Sequence, residues 1–188
     1  KLLLLLLPPN SPFFRLAISG DAKVDLDQQK EIKSEVEKSL ATIEREVSSK
    51  IEQLALRVSV FEALKHLIVA GNVLTYLPKK GSMRVFPLTN FVCKRDASGN
   101  IIEIVIKETI HPTYLDKDTL QRISEYEDYK PDEECDLYTH IYKIDEKSFY
   151  TCQEVKGVKI ESSQGTYPAD ALPYQALRMV RVDNEDYG

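Results

Sequence analysis

The sequence predicts an α+β fold in which a long amphipathic helix, or a pair of helices, precedes a series of antiparallel β-hairpins and one further helix. Three observations lead to this prediction. Apolar residues recur at helical spacing across residues 25–61, a helix turns directly into a strand within Val60–Pro78, and short turns separate alternating segments after residue 78. With 188 residues, of which 43% are hydrophobic, the chain is large enough to bury a core.

The helical part is predicted from a single apolar stripe. The stripe consists of Ile32, Val36, Leu40, Ile43, Val47, Ile51, Leu54, Val58 and Phe61. The mean step between these residues is about 3.6, the period of an α-helix, and Asp25–Gln28 has the pattern of a capping box. The spacing permits one unbroken helix, with a break near Ser48 or Ser59 as the alternative. Such a one-faced helix is expected to pack against a sheet or another subunit.

The end of this helix is predicted within Val60–Pro78. Apolar residues at helical spacing continue to Ile68, and Gly71 and Asn72 then tolerate the positive φ angle that a helix C-terminus requires. The next segment, Val73–Leu77, is β-branched, aromatic and apolar, which predicts a strand that ends at Pro78.

Hairpins are predicted from here onward. The first strands expected are Arg84–Leu88, Phe91–Arg95 and Ile101–Ile110. Asp96 followed by Gly99 fits a type I turn that closes on a left-handed glycine. Alternation along the third of these strands places Ile102, Ile104 and Ile106 on one face and Glu103, Val105 and Lys107 on the other.

The remaining elements are assigned by the same signals. Thr113–Asp128 is predicted as the further helix. The later strands expected are Asp136–Ile144, Phe149–Val155 and Leu177–Val182, with a turn at Lys156-Gly157 and loops at Gly165–Pro168 and Leu172–Tyr174. We therefore predict an N-terminal segment over residues 1–24 and one α+β domain over residues 25–188, helical over 25–72 and mostly β over 73–188.

The net charge of −5 is concentrated in one segment. Residues 125–136 contain seven acidic residues and one lysine, so the rest of the chain is close to neutral. A calcium loop needs a glycine among its carboxylates, and this segment has none, so we interpret it as a solvated loop with no metal. No basic cluster reaches the density that duplex recognition needs, and the sequence assigns no DNA-binding residues.

The sequence shows no pattern of catalytic or cofactor-binding residues. The three cysteines, Cys93, Cys135 and Cys152, have no CxxC spacing and are interpreted as small apolar residues within strands. The three histidines, His66, His111 and His140, are scattered, and structural roles are expected for His66 and His140. A thiol–imidazole pair formed by Cys93 or Cys152 with His140 is the only enzymatic alternative.

The N-terminus carries six consecutive leucines, Leu2–Leu7, followed by Pro8-Pro9. This run is far too short to span a bilayer, which takes about 20 residues, and too short for a signal peptide. We expect a helical or extended segment that packs against something else, such as a neighbouring subunit. The absence of an initiator Met and the ending at Tyr187-Gly188 suggest that the sequence is part of a longer chain.

Several stretches resemble the head-to-tail connector (portal) proteins of short-tailed bacteriophages, of the podovirus or autographivirus type. They are Val60–Pro78, Arg95-Asp96-Ala97 with Gly99-Asn100, Asp136–Tyr142, Glu154-Val155 with Gly157-Val158, Gly165–Pro168, Arg178–Val182 and Tyr187-Gly188. They occur in the order expected for that family and reach from about residue 60 to the end.

The resemblance implies a structural role. Similar proteins form a ring, generally of twelve subunits, at one capsid vertex, and this ring conducts double-stranded DNA during packaging and ejection. The ring docks terminase and then tail proteins, contacts capsid and scaffolding proteins, and has no active site. This chain would be the outer, N-terminal wing of a subunit in the virion, assembled in the host cytoplasm, without membrane insertion. A non-viral interaction module that uses its amphipathic helix is the alternative.

Overall fold

The computed structural model describes residues 2–8, 13–18, 30–126, 129–182 and 185–187, and confirms the α+β class. The four α-helices of this part are α1 (Leu2–Leu6), α2 (Lys30–Gln53), α3 (Leu56–Ala70) and α4 (Lys117–Ser124). The strands are β1 (Asn72–Tyr76), β2 (Arg84–Pro87), β3 (Phe91–Arg95), β4 (Ile101–Ile110), β5 (Cys135–Lys143), β6 (Ser148–Val155), β7 (Val158–Pro168) and β8 (Tyr174–Arg178). Short 3₁₀ turns span Leu88–Asn90, Pro112–Tyr114 and Ala169–Ala171.

The strands form two antiparallel sheets. The small sheet has the order β2-β1-β8 and the large sheet the order β3-β4-β5-β6-β7. Register places Ile104 opposite Cys93 on one side and Ile141 on the other, so apolar residues from three strands share one face. We call this face of the large sheet the inner face and the opposite one the outer face.

The inner face is covered at both ends. At one end, Leu74, Phe86 and Tyr174 of the small sheet pack on it and form a single core with its apolar side chains. At the other end, Ile123 of α4 packs against Leu137, Val155 and neighbouring residues. Helix α3 contacts β1 and β2, so the layers run helix, small sheet, large sheet. This arrangement leaves the outer face of the large sheet outside the core.

The sequence allowed one long helix or a pair of helices, and the structure has the pair, with the break at Leu54-Ala55. Both positions suggested by the sequence, Ser48 and Ser59, are wrong because they lie inside α2 and α3. Ala55 adopts the left-handed conformation with φ 50°. Its N–H still donates to Glu52 O at 3.0 Å, in the tightened pattern of a helix end. Alanine carries no conformational signal for this geometry, and the apolar period also runs through the break unchanged, so neither feature marks the break in the sequence.

The predicted helix over Thr113–Asp128 is too long. The helix begins only at Lys117, because the carboxylate of Asp116 accepts hydrogen bonds from the backbone N–H of Thr119 at 2.9 Å and from its hydroxyl at 2.8 Å. This is an N-cap, and it fixes the first turn. Leu115 before it is extended, yet it packs into the core beneath α4. Asp128 lies outside the described residues, as does the predicted capping box at residues 25–28.

The end of the chain also differs from the prediction. The segment Gly165–Pro168 is not a loop but the last part of β7, where Gly165 lies opposite Thr151. The final strand is Tyr174–Arg178 instead of Leu177–Val182. It ends at Arg178 because that residue pairs with Asn72, the first residue of β1.

The central hairpin is confirmed. The predicted strands over residues 91–95 and 101–110 match β3 and β4, and Gly99 closes their turn with φ 86° and an N–H bond to Asp96 O of 2.9 Å. Lys156-Gly157 forms the predicted turn, and the other strand boundaries agree to within one residue. The division between residues 1–24 and 25–188 stays a prediction.

We expect Ile104→Ala to lower the free energy of unfolding by about 2–5 kcal/mol, because Ile104 is completely buried between the sheets and truncation leaves a cavity. Ile144→Ala is the matched control, since Ile144 is exposed and should change stability by less than about 0.5 kcal/mol. Urea denaturation followed by circular dichroism measures both. Equal losses of unfolding free energy in the two variants would contradict the placement of Ile104 in the core.

We expect Ala55→Gly to raise the free energy of unfolding by about 0.5–1 kcal/mol, because glycine adopts the left-handed conformation without strain. The control is Ala41→Gly in the exposed middle of α2, which should lower stability by about 1 kcal/mol. Thermal unfolding of both variants shows whether each substitution raises or lowers the stability. If the two changes shift stability in the same direction, α2 and α3 are one continuous helix.

Candidate assembly surface

The helical stripe defined above is largely uncovered. Val58 is 70% exposed and Phe61 51% exposed, and Ile32, Ile43 and Val47 are exposed as well. Ala63 is the one buried residue of α3, and no described side chain of α2 is buried. The small sheet therefore covers one side of α3 and none of α2. Of the two coverings expected from the sequence, a sheet or another subunit, the sheet covers one side of α3 and leaves the stripe residues Val58 and Phe61 exposed.

The N-terminal leucine helix continues this apolar surface. Helix α1 contacts α3, and the guanidinium of Arg57 donates to the carbonyls of Leu7 and Pro8, the latter at 3.2 Å. The same guanidinium binds Glu52 Oε1, at 2.6 Å from Nη2 and 2.8 Å from Nε. Arg57 thus joins α1, the end of α2 and the start of α3. Its hydrogen bonds lower the pKa of Glu52.

Three of the described leucine side chains remain outside this contact. Leu4, Leu5 and Leu6 are all exposed, with Leu5 at 79%. Exposed leucines on a helix that contacts α3, together with an exposed amphipathic stripe, are the kind of apolar surface that proteins normally bury in a protein contact. No helix in the part of the chain that the structure describes is both long enough and apolar enough to cross a membrane.

The outer face of the large sheet carries an aromatic cluster. Tyr138, His140, Tyr142 and Tyr150 lie side by side on β5 and β6 and are half-buried. The ring centroids of His140 and Tyr142 are 4.8 Å apart, and those of Tyr142 and Tyr150 are 5.4 Å apart. The helices of the described part pack on the small sheet and on the inner face instead. We call this second unpartnered surface the aromatic face.

The charges on the aromatic face are paired with one another. His140 Nε2 lies 2.6 Å from Glu103 Oε1 on the adjacent strand, while the structural role expected for this histidine stays a prediction. Lys107 Nζ lies 2.8 Å from Asp136 Oδ2 and 5.9 Å from the centroid of the Tyr138 ring. The hydrogen bond to Asp136 raises the pKa of Lys107, so its ammonium group stays charged. The carboxylates of Glu103 and Asp136 therefore each have a hydrogen-bonding partner on this face.

The cysteines occupy the strand positions expected of them. All three are buried and free, in β3, β5 and β6. Burial raises the pKa of each thiol, with the nearby charges of smaller effect. Cys152 lies opposite His140 in the strand register, so the structure brings together one of the two pairs considered from the sequence. A raised thiol pKa opposes formation of the thiolate nucleophile that such a pair needs.

The other histidines and the acidic segment also have local structural contacts. His111 Nδ1 lies 2.9 Å from Thr113 Oγ1 and caps a 3₁₀ turn, while His66 is half-buried in α3. Lys130 Nζ binds Glu133 Oε1 at 2.7 Å on the wall of a cleft of about 490 Å³. Within the described ranges, no three His, Cys, Asp or Glu side chains are placed to hold a metal ion.

Two arginines that connect separate segments of the fold were missed by sequence reasoning. Arg57 joins three helices, and Arg95 bonds to three separate backbone segments described below. In the sequence, Arg57 appears only as a single cation next to the apolar stripe. No residue spacing there indicates which groups it would bind. Arg95 belongs to a stretch that carries the family resemblance, but nothing in that stretch indicates its partners.

The described residues form an α+β module with two faces that its own described layers leave uncovered. The family model described as bacteriophage head to tail connecting protein matches residues 1–188, so the chain belongs to this family, as the resemblance predicted. It is 40% identical over 194 residues to a portal protein of Escherichia phage T7, across 99% of this chain. It is also 40% identical to a portal protein of Enterobacteria phage T3 over all of this chain, and 28% identical to one of Enterobacteria phage SP6.

The match covers a limited share of these relatives. The chain spans 36% of the length of the T7 and T3 proteins and 37% of the SP6 protein. The matched region includes the helical stripe, both sheets and the segment up to residue 187.

We expect the three cysteines to react slowly with a thiol reagent such as DTNB in the native protein at pH 8. Their raised pKa values keep the thiols protonated, and burial blocks access. Labelling in denaturant is the control and should be complete within seconds. Rapid native labelling of Cys152 at neutral pH, lost in His140→Ala, would contradict this and support the thiol–imidazole pair.

Proposed function

We propose that this chain is the wing part of a structural portal subunit, which assembles with further copies into a ring of about twelve at a capsid vertex. The observation that carries the proposal is membership of the connector family, together with an apolar stripe that the chain itself leaves open. A ring of identical subunits needs two different patches on each copy, because a head-to-tail contact joins unlike surfaces. The helical stripe and the aromatic face are two such patches.

The ring would conduct double-stranded DNA during packaging and ejection. It would bind terminase during packaging, a tail adaptor afterwards, and capsid and scaffolding proteins at its periphery. These partners are inferred from the family, and the chain would act in the virion after assembly in the host cytoplasm. An aromatic face on which Lys107 is paired with Asp136 suits contacts with protein, since binding to DNA phosphates depends on clustered cations.

We further propose that this chain performs no catalysis of its own. Buried thiols with raised pKa values and a histidine held by Glu103 support a structural role for these groups. Any chemistry of packaging would then belong to the docked terminase. The helical stripe would bind a neighbouring copy, which gives its exposed apolar side chains a partner.

Multi-angle light scattering after size exclusion, on the full-length protein, tests the ring. The unmodified protein should elute as a particle of about twelve subunit masses. Ile43→Asp or Val47→Asp should reduce the ring fraction more than tenfold, because a buried charge replaces roughly 1.5–3 kcal/mol of apolar burial in every interface.

The matched control is Ala41→Asp, which places the same charge on the other side of α2 and should leave the ring intact. Circular dichroism checks that each variant stays folded. A full-length protein that remains monomeric at all concentrations would refute the ring. Rings that survive both stripe substitutions would show that the stripe does not form the subunit contact.

A further inference from the structure

Two open sheet edges meet at one corner of the molecule. Strand β3 is an edge strand of the large sheet, and β8 is an edge strand of the small sheet. Edge strands present unpaired backbone groups, which can pair with a strand of another chain and cause edge-to-edge association. The side chain of Arg95 and the segment 185–187 occupy this corner.

The guanidinium of Arg95 binds three carbonyls from three segments. It donates from Nη2 to Ala176 O on β8 at 2.7 Å, and from Nη1 to Gly99 O in the β3–β4 turn at 2.9 Å. From Nε it donates to Asp186 O at 3.1 Å. A planar guanidinium offers donors in fixed directions, so this geometry also sets the spacing of the three segments. A backbone acceptor of β8 is thereby satisfied from outside its sheet.

The segment 185–187 covers the neighbouring edge of β3. Asp186 Oδ1 accepts from the backbone N–H of Arg95 at 2.6 Å, and the hydroxyl of Tyr187 accepts from the N–H of Cys93 at 2.8 Å. Cys93 and Arg95 are two residues apart, so both N–H groups point away from β4 along the same open edge. Side chains of the segment therefore take the place that a sixth strand would occupy.

The segment is held more by hydrogen bonds than by packing. Arg178 Nη1 donates to Glu185 O at 2.9 Å, and Tyr187 is the residue of the segment that packs against the main core. Arg178 also lies close to the β3–β4 turn: a Cβ atom added to Gly99 would be 2.7 Å from its Nη2 atom. A short segment with one apolar anchor opens at low free energy compared with the core strands.

We propose that Arg95 and residues 185–187 form a releasable guard over the open edges of β3 and β8. While the guard is closed, these edges cannot pair with a strand from a second copy of the chain. When it opens, the N–H groups of Cys93 and Arg95 and the carbonyl of Ala176 become available for strand addition. The guard acts independently of how the helical stripe is used, so this inference does not rest on the ring.

Hydrogen exchange followed by mass spectrometry on the full-length protein tests the guard. In Arg95→Ala, peptides covering residues 91–95 and 174–178 should exchange about tenfold faster, while peptides of β5 keep their wild-type rates. Light scattering should show association beyond the wild-type particle. The matched control is Arg122→Ala on α4, an exposed arginine whose loss should change neither readout.

Tyr187→Phe provides a milder variant in case Arg95→Ala does not fold. It removes the acceptor for the N–H of Cys93 and keeps the aromatic ring, so exchange at Cys93 should rise about fivefold with the core intact. Unchanged exchange at residues 91–95 in the folded variants would overturn the proposal. Faster exchange throughout the sheets, or faster edge exchange without any additional association, would also overturn it.

Discussion

Strand β1 is covered on both of its faces, and the rest of the structure depends on that constraint. Val73 and Leu74 point to opposite sides of the small sheet, and both are fully buried. Leu74 joins the core shared with the large sheet, while the opposite side of the strand lies against α3. Because β1 directly follows α3, the turn between them fixes the helix against the sheet. Gly71 makes this turn with φ 70° and an N–H bond to Leu67 O of 3.0 Å.

This constraint determines which surfaces are left over. Once α3 is tied to β1 and α4 fills the other end of the inner face, the core of the described part is complete. Within the described residues, the side of α3 away from the sheet, α2 apart from its contact with α3, and the aromatic face are then not covered by a sheet. An apolar side chain such as Val69, which is 87% exposed, contributes nothing to the stability of the isolated chain. Exposed apolar side chains of this kind fit a protein of the connector family, to which the portal protein of Escherichia phage T7 is similar.

The sequence predicted the parts of the fold that local chemistry decides. The hairpin of β3 and β4 follows from alternation and from a glycine with positive φ, and both are visible in a single segment. The break at Ala55 could not be predicted, because alanine favours helices and the break is held by Arg57, whose partners at Leu7 and Pro8 are distant in sequence. The end of β8 was misplaced for a related reason: it depends on the length of β1, its pairing partner.

The candidate assembly surface was also predicted only in part. Periodicity identified the apolar stripe and indicated that a sheet or another subunit would cover it. It could not show that the sheet covers only one side of α3. Motif order identified the family without showing which residues meet a neighbour. The roles of Arg57 and Arg95 depend on carbonyl groups brought close by the fold, and backbone carbonyls leave no trace in a residue pattern.

The most direct test is a single-particle electron microscopy map of the assembled full-length protein, at a resolution that shows side chains. The account predicts a closed ring in which the stripe residues of α2 and α3 are buried against the adjacent copy. A ring in which Ile43, Val47 and Phe61 face solvent on every subunit would contradict it.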